Sequence, residues 1–575
     1  MSWSPLSMPE RESSVARERI ACVVLFAIGL SAQTQPATST PAAQRYRIAG
    51  VVVNVLTGQP LAAVSVAIAP TTQQGSASEV SQDVVTGNDG RFAFTGLVRG
   101  KYSLMAEARG FTLQSFEAHD AYASAIAVGP DLDSEHLVFN LPPDASIEGQ
   151  VIDENNEPVQ NATVHLYQNG IAEGQKKTSL VNQVQADDQG NFRFGRLASG
   201  TYYLAVSARP WYAQNDRSAL RGPSNPDAQN RAAQESAALD VTYPLTFYPD
   251  SPDSTGASPI ALRPGERATA DVVMHAVPAL HLRIHAGGAN SGPLLAIGRM
   301  TFPRVSQRIF EGYRDPVSNS PVSGAEPGVL EVMGLAPGHY VIEMPAVNAD
   351  DKASSRGWYR EIDLFGDSDL NTSDASSLVT VSGSVIFQGE TTAPSRPGIQ
   401  LSNPATGESF YAPISDKEQF DFSKDAVRPG RYNVLLANAR GFFLSKLSAT
   451  GAKIVGRTLD ISGASNVRMA CVVSHGLGQV DGVALRDSQP FAGAMVVLAP
   501  GDPANNTPLF RRDQSDSDGS FTLPNVVPGL YTVIAIANGW DLEWSNPAVL
   551  QPYLKSGEAV QVTGGGKLQV KVQVH

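Results

Sequence analysis

Cysteine is nearly missing: Cys22 and Cys471 are the two in 575 residues. Cys22 lies inside an N-terminal apolar run that export would remove, so one thiol would remain. No disulfide framework can then brace the fold, and each domain must rely on its packed core. Cys471 sits in the apolar stretch VRMACVV, where a buried, inert thiol is expected. Charge is also sparse, at 17% of residues, and the net charge is −13 with no basic block. That excludes a nucleic-acid partner, because phosphate binding needs clustered Lys and Arg to release counterions.

Catalytic constellations are missing too. None of His119, His136, His165, His275, His281, His285, His339 or His475 has a Glu three residues on, and no H-E-x-x-H occurs, so the common zinc-peptidase ligand sets are not available. His281 and His285 in LHLRIH share one face of a strand, but about 13 Å separates them, too far for one metal. They read as solvent-facing strand histidines. The turn from Asp513 to Gly519, DQSDSDG, fails as a calcium loop: with Gly519 in the sixth position the first is Gln514 and the twelfth Asn525, so both end carboxylates are lost. It reads as turn chemistry alone. No G-x-S-x-G elbow or phosphate-cradling G-x-x-x-x-G-K-[ST] is present, and the carboxylates are scattered over turns. Neither a metal nor any other cofactor is expected, and no catalytic residue can be nominated.

Long apolar runs are limited to one. Residues 20–30, IACVVLFAIGL, follow Arg11, Arg17 and Arg19 and precede Ser31, Ala32 and Gln33. This is the pattern of a secretory signal peptide, too short for a stable membrane span. Residues 1–32 are therefore assigned to the signal and 33–44, QTQPATSTPAAQ, to a flexible linker. The mature chain should lack a membrane span and be secreted, periplasmic or held in the cell envelope.

What the chain has in quantity is Gly (51), Pro (39) and alternating apolar residues, the composition of short strands joined by tight turns. One stretch sets the pattern. In 86–106, TGNDGRFAFTGLVRGKYSLMA, the Asn88-Asp89-Gly90 turn is followed by alternation through Phe92 and Phe94, then Gly100 opens a second alternating run through Tyr102 and Leu104. A hairpin with one apolar face needs a second sheet over it, so each copy implies a sandwich. Copies recur at 187–208, 328–344, 418–437 and 517–537. Their tyrosines, Tyr102, Tyr202, Tyr340, Tyr432 and Tyr531, are spaced by 100, 138, 92 and 99 residues, a period of whole domains rather than of a solenoid. The chain divides into β-sandwiches at 45–142, 143–278, 279–382, 383–475 and 476–575, the second carrying an insertion at 209–242 with a short helix expected over 228–239. Placed end to end, five such domains would reach on the order of 100 Å.

Three elements, G-x-V, then P-[VL]-x-x-A-x-V, then D-x-x-G-x-F-x-F-x-x-L-x-x-G-x-Y-x-L, appear as Gly50-Val51-Val52, residues 60–66 and residues 88–104. They recur as Gly149-Gln150-Val151, residues 158–164 and residues 187–204, and in part from Pro490 and Ala494 to Val533. The pattern resembles the carboxypeptidase regulatory-like domain, and this resemblance implies a seven-stranded antiparallel, prealbumin-like sandwich without catalysis. The third and fourth copies are weaker, and their first strands are not placed by sequence.

Exposed rings are the remaining route to a site, since sugars stack on them. The candidates for carbohydrate binding are Trp211, Tyr212, Trp358, Tyr359 and Trp544. Phe111, Trp211, Phe442 and Trp540 fall at one equivalent position beyond the hairpin, which predicts that they pack across the sandwich end. The expected function is a non-catalytic, extracytoplasmic binding, adhesion or scaffold protein, with an envelope or extracellular protein as partner. The alternative is a carbohydrate-binding protein of a polysaccharide-utilisation system, with a glycan as partner.

Overall fold

The computed structural model describes residues 44–71, 81–214, 238–285, 303–310, 313–316, 322–323, 329–344, 357–389, 394–425, 427–463 and 466–575. The signal and linker, and nearly all of the helix expected over 228–239, lie outside these residues. The described residues from Arg45 onward are almost entirely β, with paired sheets repeating along the chain.

The repeat has one topology. In the first sandwich, Tyr46–Asn54 pairs antiparallel with the hairpin strand Arg91–Leu97 and parallel with the closing strand Leu137–Leu141. The facing sheet sets Ser65–Pro70 between Gln82–Val85 and Gly100–Glu107. The same antiparallel-plus-parallel arrangement of the opening strand recurs at Ala145–Asp153, Leu280–His285, Thr380–Phe387 and Gly478–Arg486. These pairings locate the two opening strands that sequence alone did not place. Among the described residues, a hydrophobic core lies between the layers of each sandwich. Because several edges are broken into segments of two or three residues, the first sandwich holds three and five strands in its two sheets and the fifth holds four and four.

The motif residues have physical reasons. Gly50 sits opposite Phe92, and Gly149 opposite Phe192. A Cβ at Gly50 would meet the Leu137 carbonyl oxygen at 2.3 Å, and one at Gly149 the Ala270 oxygen at 2.3 Å. Only glycine lets the closing strand lie against the opening one while the phenylalanine ring crosses it. Gly383 opposite Phe420 and Gly482 opposite Phe521 repeat the device.

Each repeated tyrosine is buried, and its hydroxyl donates to the carbonyl four residues back. Tyr102 reaches Val98, Tyr202 Ala198, Tyr340 Ala336, Tyr432 Arg428 and Tyr531 Val527, over 2.7 to 3.1 Å. The ring fills the core, and its polar tip ties down the turn that reverses the hairpin. That double duty explains why the position is Tyr and not Phe.

An end-to-end row in which only successive sandwiches touch does not hold. Residues 514–517 of the fifth sandwich bond to residues 117–127 of the first. The fifth also reaches the second, where Ser545 N–H donates to the Gly174 carbonyl and its hydroxyl to that of Glu173. The physical reason is that turns of the fifth sandwich place backbone and side-chain polar groups opposite those of the first and second. Within the fifth, both faces of the second sheet are also covered. Met495–Pro500 is buried at every residue, and its outer face lies under the loop bearing Trp540 and Trp544 and the helix Pro547–Leu554.

Candidate functional site

The rings nominated for sugar stacking have different surroundings. Trp358 opens the strand Trp358–Leu364 and is half-buried against the third core. Its neighbour Tyr359 has the Arg428 guanidinium 5.5 Å from its ring centre, so one face is taken. Trp544 packs with Trp540 against the fifth sandwich's outer cluster. Trp211 is 90% exposed. The expectation that it packs across its sandwich end is therefore corrected: Phe111, Phe442 and Trp540 do pack against cores, but Trp211 does not. Tyr212 stands edge-on to it, with ring centres 5.7 Å apart and planes at 86°. Burial, then the negative charges of Glu154 and Asp153, raises the Tyr212 phenol above its ordinary range.

Several buried charged groups lie at the joints. Arg428, in the fourth sandwich, is 6% exposed. It pairs with Glu408 at 2.7 Å, and across the joint with Glu361 at 3.1 Å and Glu343 at 3.6 Å in the third. His281 is also buried, which corrects its reading as solvent-facing. It shares its strand face with His285 as expected, but Asp240 covers that end, with Nε2 2.8 Å from Oδ2. His285 stays partly exposed and bonds Asp369 at 2.6 Å. Beside this joint, Phe310 packs against Tyr167, Tyr203 and Phe247, giving the second sandwich a covered outer face.

At the third joint, Lys101 Nζ is 2.5 Å from Asp516 Oδ2, and His119 stacks on Trp540 with ring centres 4.1 Å apart. Arg512 lies 4.4 Å from the Tyr122 ring centre and 5.1 Å from that of Trp540. Sequence reasoning missed all three joints. The unbroken apolar run MVVLAP, against the alternating SVAIAP of the first sandwich, signals a strand covered on both faces, which loses its period of two, but that cover is the fifth sandwich's own loop and helix and names no joint.

Chemically these groups fix positions. Cys471 is buried as expected, and burial pushes its thiol up to about 12. Among the described residues, no three His, Cys, Asp or Glu side chains gather so as to hold a metal ion, and no helix is long and apolar enough to cross a membrane, which says nothing of strands. An open cleft of about 510 Å³ beside the first sandwich is lined by Arg47, Asp133, Glu135 and His136, and these pair among themselves as Arg47–Glu135 and His136–Asp133.

Fold and joints together define a tandem array of β-sandwiches docked through polar contacts. Two of its units can be assigned: residues 47–131 and 146–230 match the carboxypeptidase regulatory-like domain family, so the chain carries two copies of that domain, as the motifs in both stretches predict. No curated protein matches the chain. Among solved structures, the Bacillus anthracis TIE protein is similar at 12% identity over 76% of each chain, with a TM-score of 0.17. A streptococcal ancillary pilin is similar at 11% identity over 51% of this chain and 98% of its own, with a TM-score of 0.18. The GBS52 minor pilin of Streptococcus agalactiae is similar at 11% identity over 40% and 97%, with a TM-score of 0.21. Similarities this low carry no information about what the present chain does.

Proposed function

We propose that this chain is a non-catalytic, exported scaffold of five β-sandwiches, with bounds near residues 142, 278, 382 and 475, that presents its surface to an envelope or extracellular protein. One observation carries the reading. Arg428, the His281–Asp240 pair and the turn 513–519 are buried or partly buried, and each fixes one sandwich to another. A chain that places buried charge between its modules is built to position surfaces. Export rests on the apolar run 20–30 behind its arginines. The test is capture from a native envelope extract by the tagged chain from residue 33 onward, with a heat-unfolded sample as control. A protein retained by the folded chain alone supports the reading; turnover of a peptide or glycan by the purified chain overturns it.

The exposed Trp211 beside Tyr212 favours a second reading, glycan binding. Of the five nominated rings, this tryptophan is the one with an open face for stacking. Trp211→Ala should abolish binding on a glycan array, whereas Trp544→Ala should lower stability. Silence across the array would sink this reading and leave the first untouched.

A further inference from the structure

The acidic turn of the fifth sandwich has counterparts that show what a turn needs. In the first and second sandwiches, Asp89 and Asp187 each accept backbone N–H groups within their own turns, and both are exposed. Asp518 does the same for Ser520. Turn geometry is then satisfied, yet the four residues before Asp518 reach another sandwich, nearly 400 residues away in sequence. The Gln514 amide donates to the Glu117 carbonyl at 2.7 Å and to Ser124 Oγ at 2.9 Å. The Ser515 carbonyl accepts from the Ser124 hydroxyl. Asp516 Oδ1 accepts from the Ala125 N–H at 2.7 Å, and Oδ2 meets Lys101. Ser517 exchanges two bonds: its N–H donates to the Ala125 carbonyl, and its hydroxyl accepts from the Ala127 N–H.

Closure also has an opposing term. Arg512 is fully buried at this joint, with Asp120 at 3.5 Å as its ion-pair partner and three aromatic rings around it. Its Nε and Nη2 have no hydrogen-bond partner. A buried guanidinium with two bare donors gives up hydration on closure, a cost that its ring contacts offset only in part. The first sandwich is otherwise joined to the second through the short link around Pro142 and Pro143, bridged by Thr112 N–H to the Pro142 carbonyl and Asp144 N–H to that of Gly110. The fifth is held separately, by the second through Ser545 and by the fourth through the Arg457 N–H on the Asn505 carbonyl.

We propose that residues 513–519 form a releasable latch: they close the fifth sandwich on residues 117–127 of the first, and their release lets the first swing about the 142–144 link. The joint combines bonds strong enough to close it with a buried cation that gains by opening. It therefore sits between two states, unlike the apolar core of either sandwich.

The experiment uses the full chain with Cys22→Ser, spin-labelled at Asp83→Cys and Lys555→Cys; Cys471 is buried and unreactive. Pulsed electron–electron distances should give one narrow population for this chain. Lys101→Ala should add a broad, longer population, lowering the closed-to-open ratio about tenfold, the effect of losing one charge-assisted bond, and Asp516→Ala, which also loses the bond from Ala125, should lower it further. Lys101 lies outside the turn, so Lys101→Ala keeps the test valid if Asp516→Ala disturbs the fifth sandwich. Arg512→Met should keep the chain closed. One unchanged narrow distance in both alanine variants would mean a fixed joint. A broad distribution in the parent that neither variant alters would mean no latch. Either result overturns the proposal, as does opening by Arg512→Met.

Discussion

The sharpest test of how these sandwiches are held is removal of Arg428. Its guanidinium is the shared cation of Glu408, Glu361 and Glu343, the last two across the joint. Glu343 and Glu408 are 12% and 17% exposed at their side chains, while Glu361 is 45% exposed. Breaking a buried ion pair from one side costs about 3–5 kcal/mol. With one of the three carboxylates half in water, Arg428→Met should fall near the bottom of that range, about 3 kcal/mol. The Met side chain keeps the stem's packing, so the loss reports charge more than volume. The assay is thermal and urea unfolding of the full chain, read at a fluorophore on the fourth sandwich. A loss below about 0.5 kcal/mol, the size of a surface pair, would refute the reasoning.

Two further predictions use the cores. Tyr340→Phe should cost about 1 kcal/mol by depriving the Ala336 carbonyl of its donor, measured as a fall in urea midpoint at constant m; an unchanged midpoint would mean the hydroxyl is dispensable to the hairpin. Asp513 is pushed up to about 6, chiefly by burial, against the bonds it accepts from Thr522 and Gln514. A carboxyl whose folded pKa is raised favours the protonated fold, so its contribution should grow as the pH drops from 7 through 6 toward 4. Asp513→Asn should abolish that dependence in pH-resolved melts, and an identical slope in parent and variant would show that the group does not titrate there.

Much of the fold was legible because its signals are local. Turn residues such as Asn88-Asp89-Gly90, the alternation through Phe92 and Phe94, and the G-x-Y step before each buried tyrosine act within one hairpin. Each therefore leaves its mark in consecutive residues. The fourth opening strand carried such a mark in Gly383, legible once its pairing with Phe420 was known. The third has Leu282 opposite Val332 where the others place a glycine against a phenylalanine, so its alternation had no anchor.

The rings and the acidic turn were legible as residue types and not as environments. Trp211 and Trp540 occupy equivalent places after their hairpins, yet one is bare and the other lies under His119. DQSDSDG and the turn around Asp187 have the same chemistry, yet one is docked and the other solvated. Sequence by itself determined that this chain forms repeated two-layer units with interior tyrosines, since backbone period and turn chemistry act between neighbours. Tertiary structure alone decided which rings and charged side chains are docked, because their partners come from another sandwich, hundreds of residues away for the first and fifth, where no local pattern in the sequence can name them.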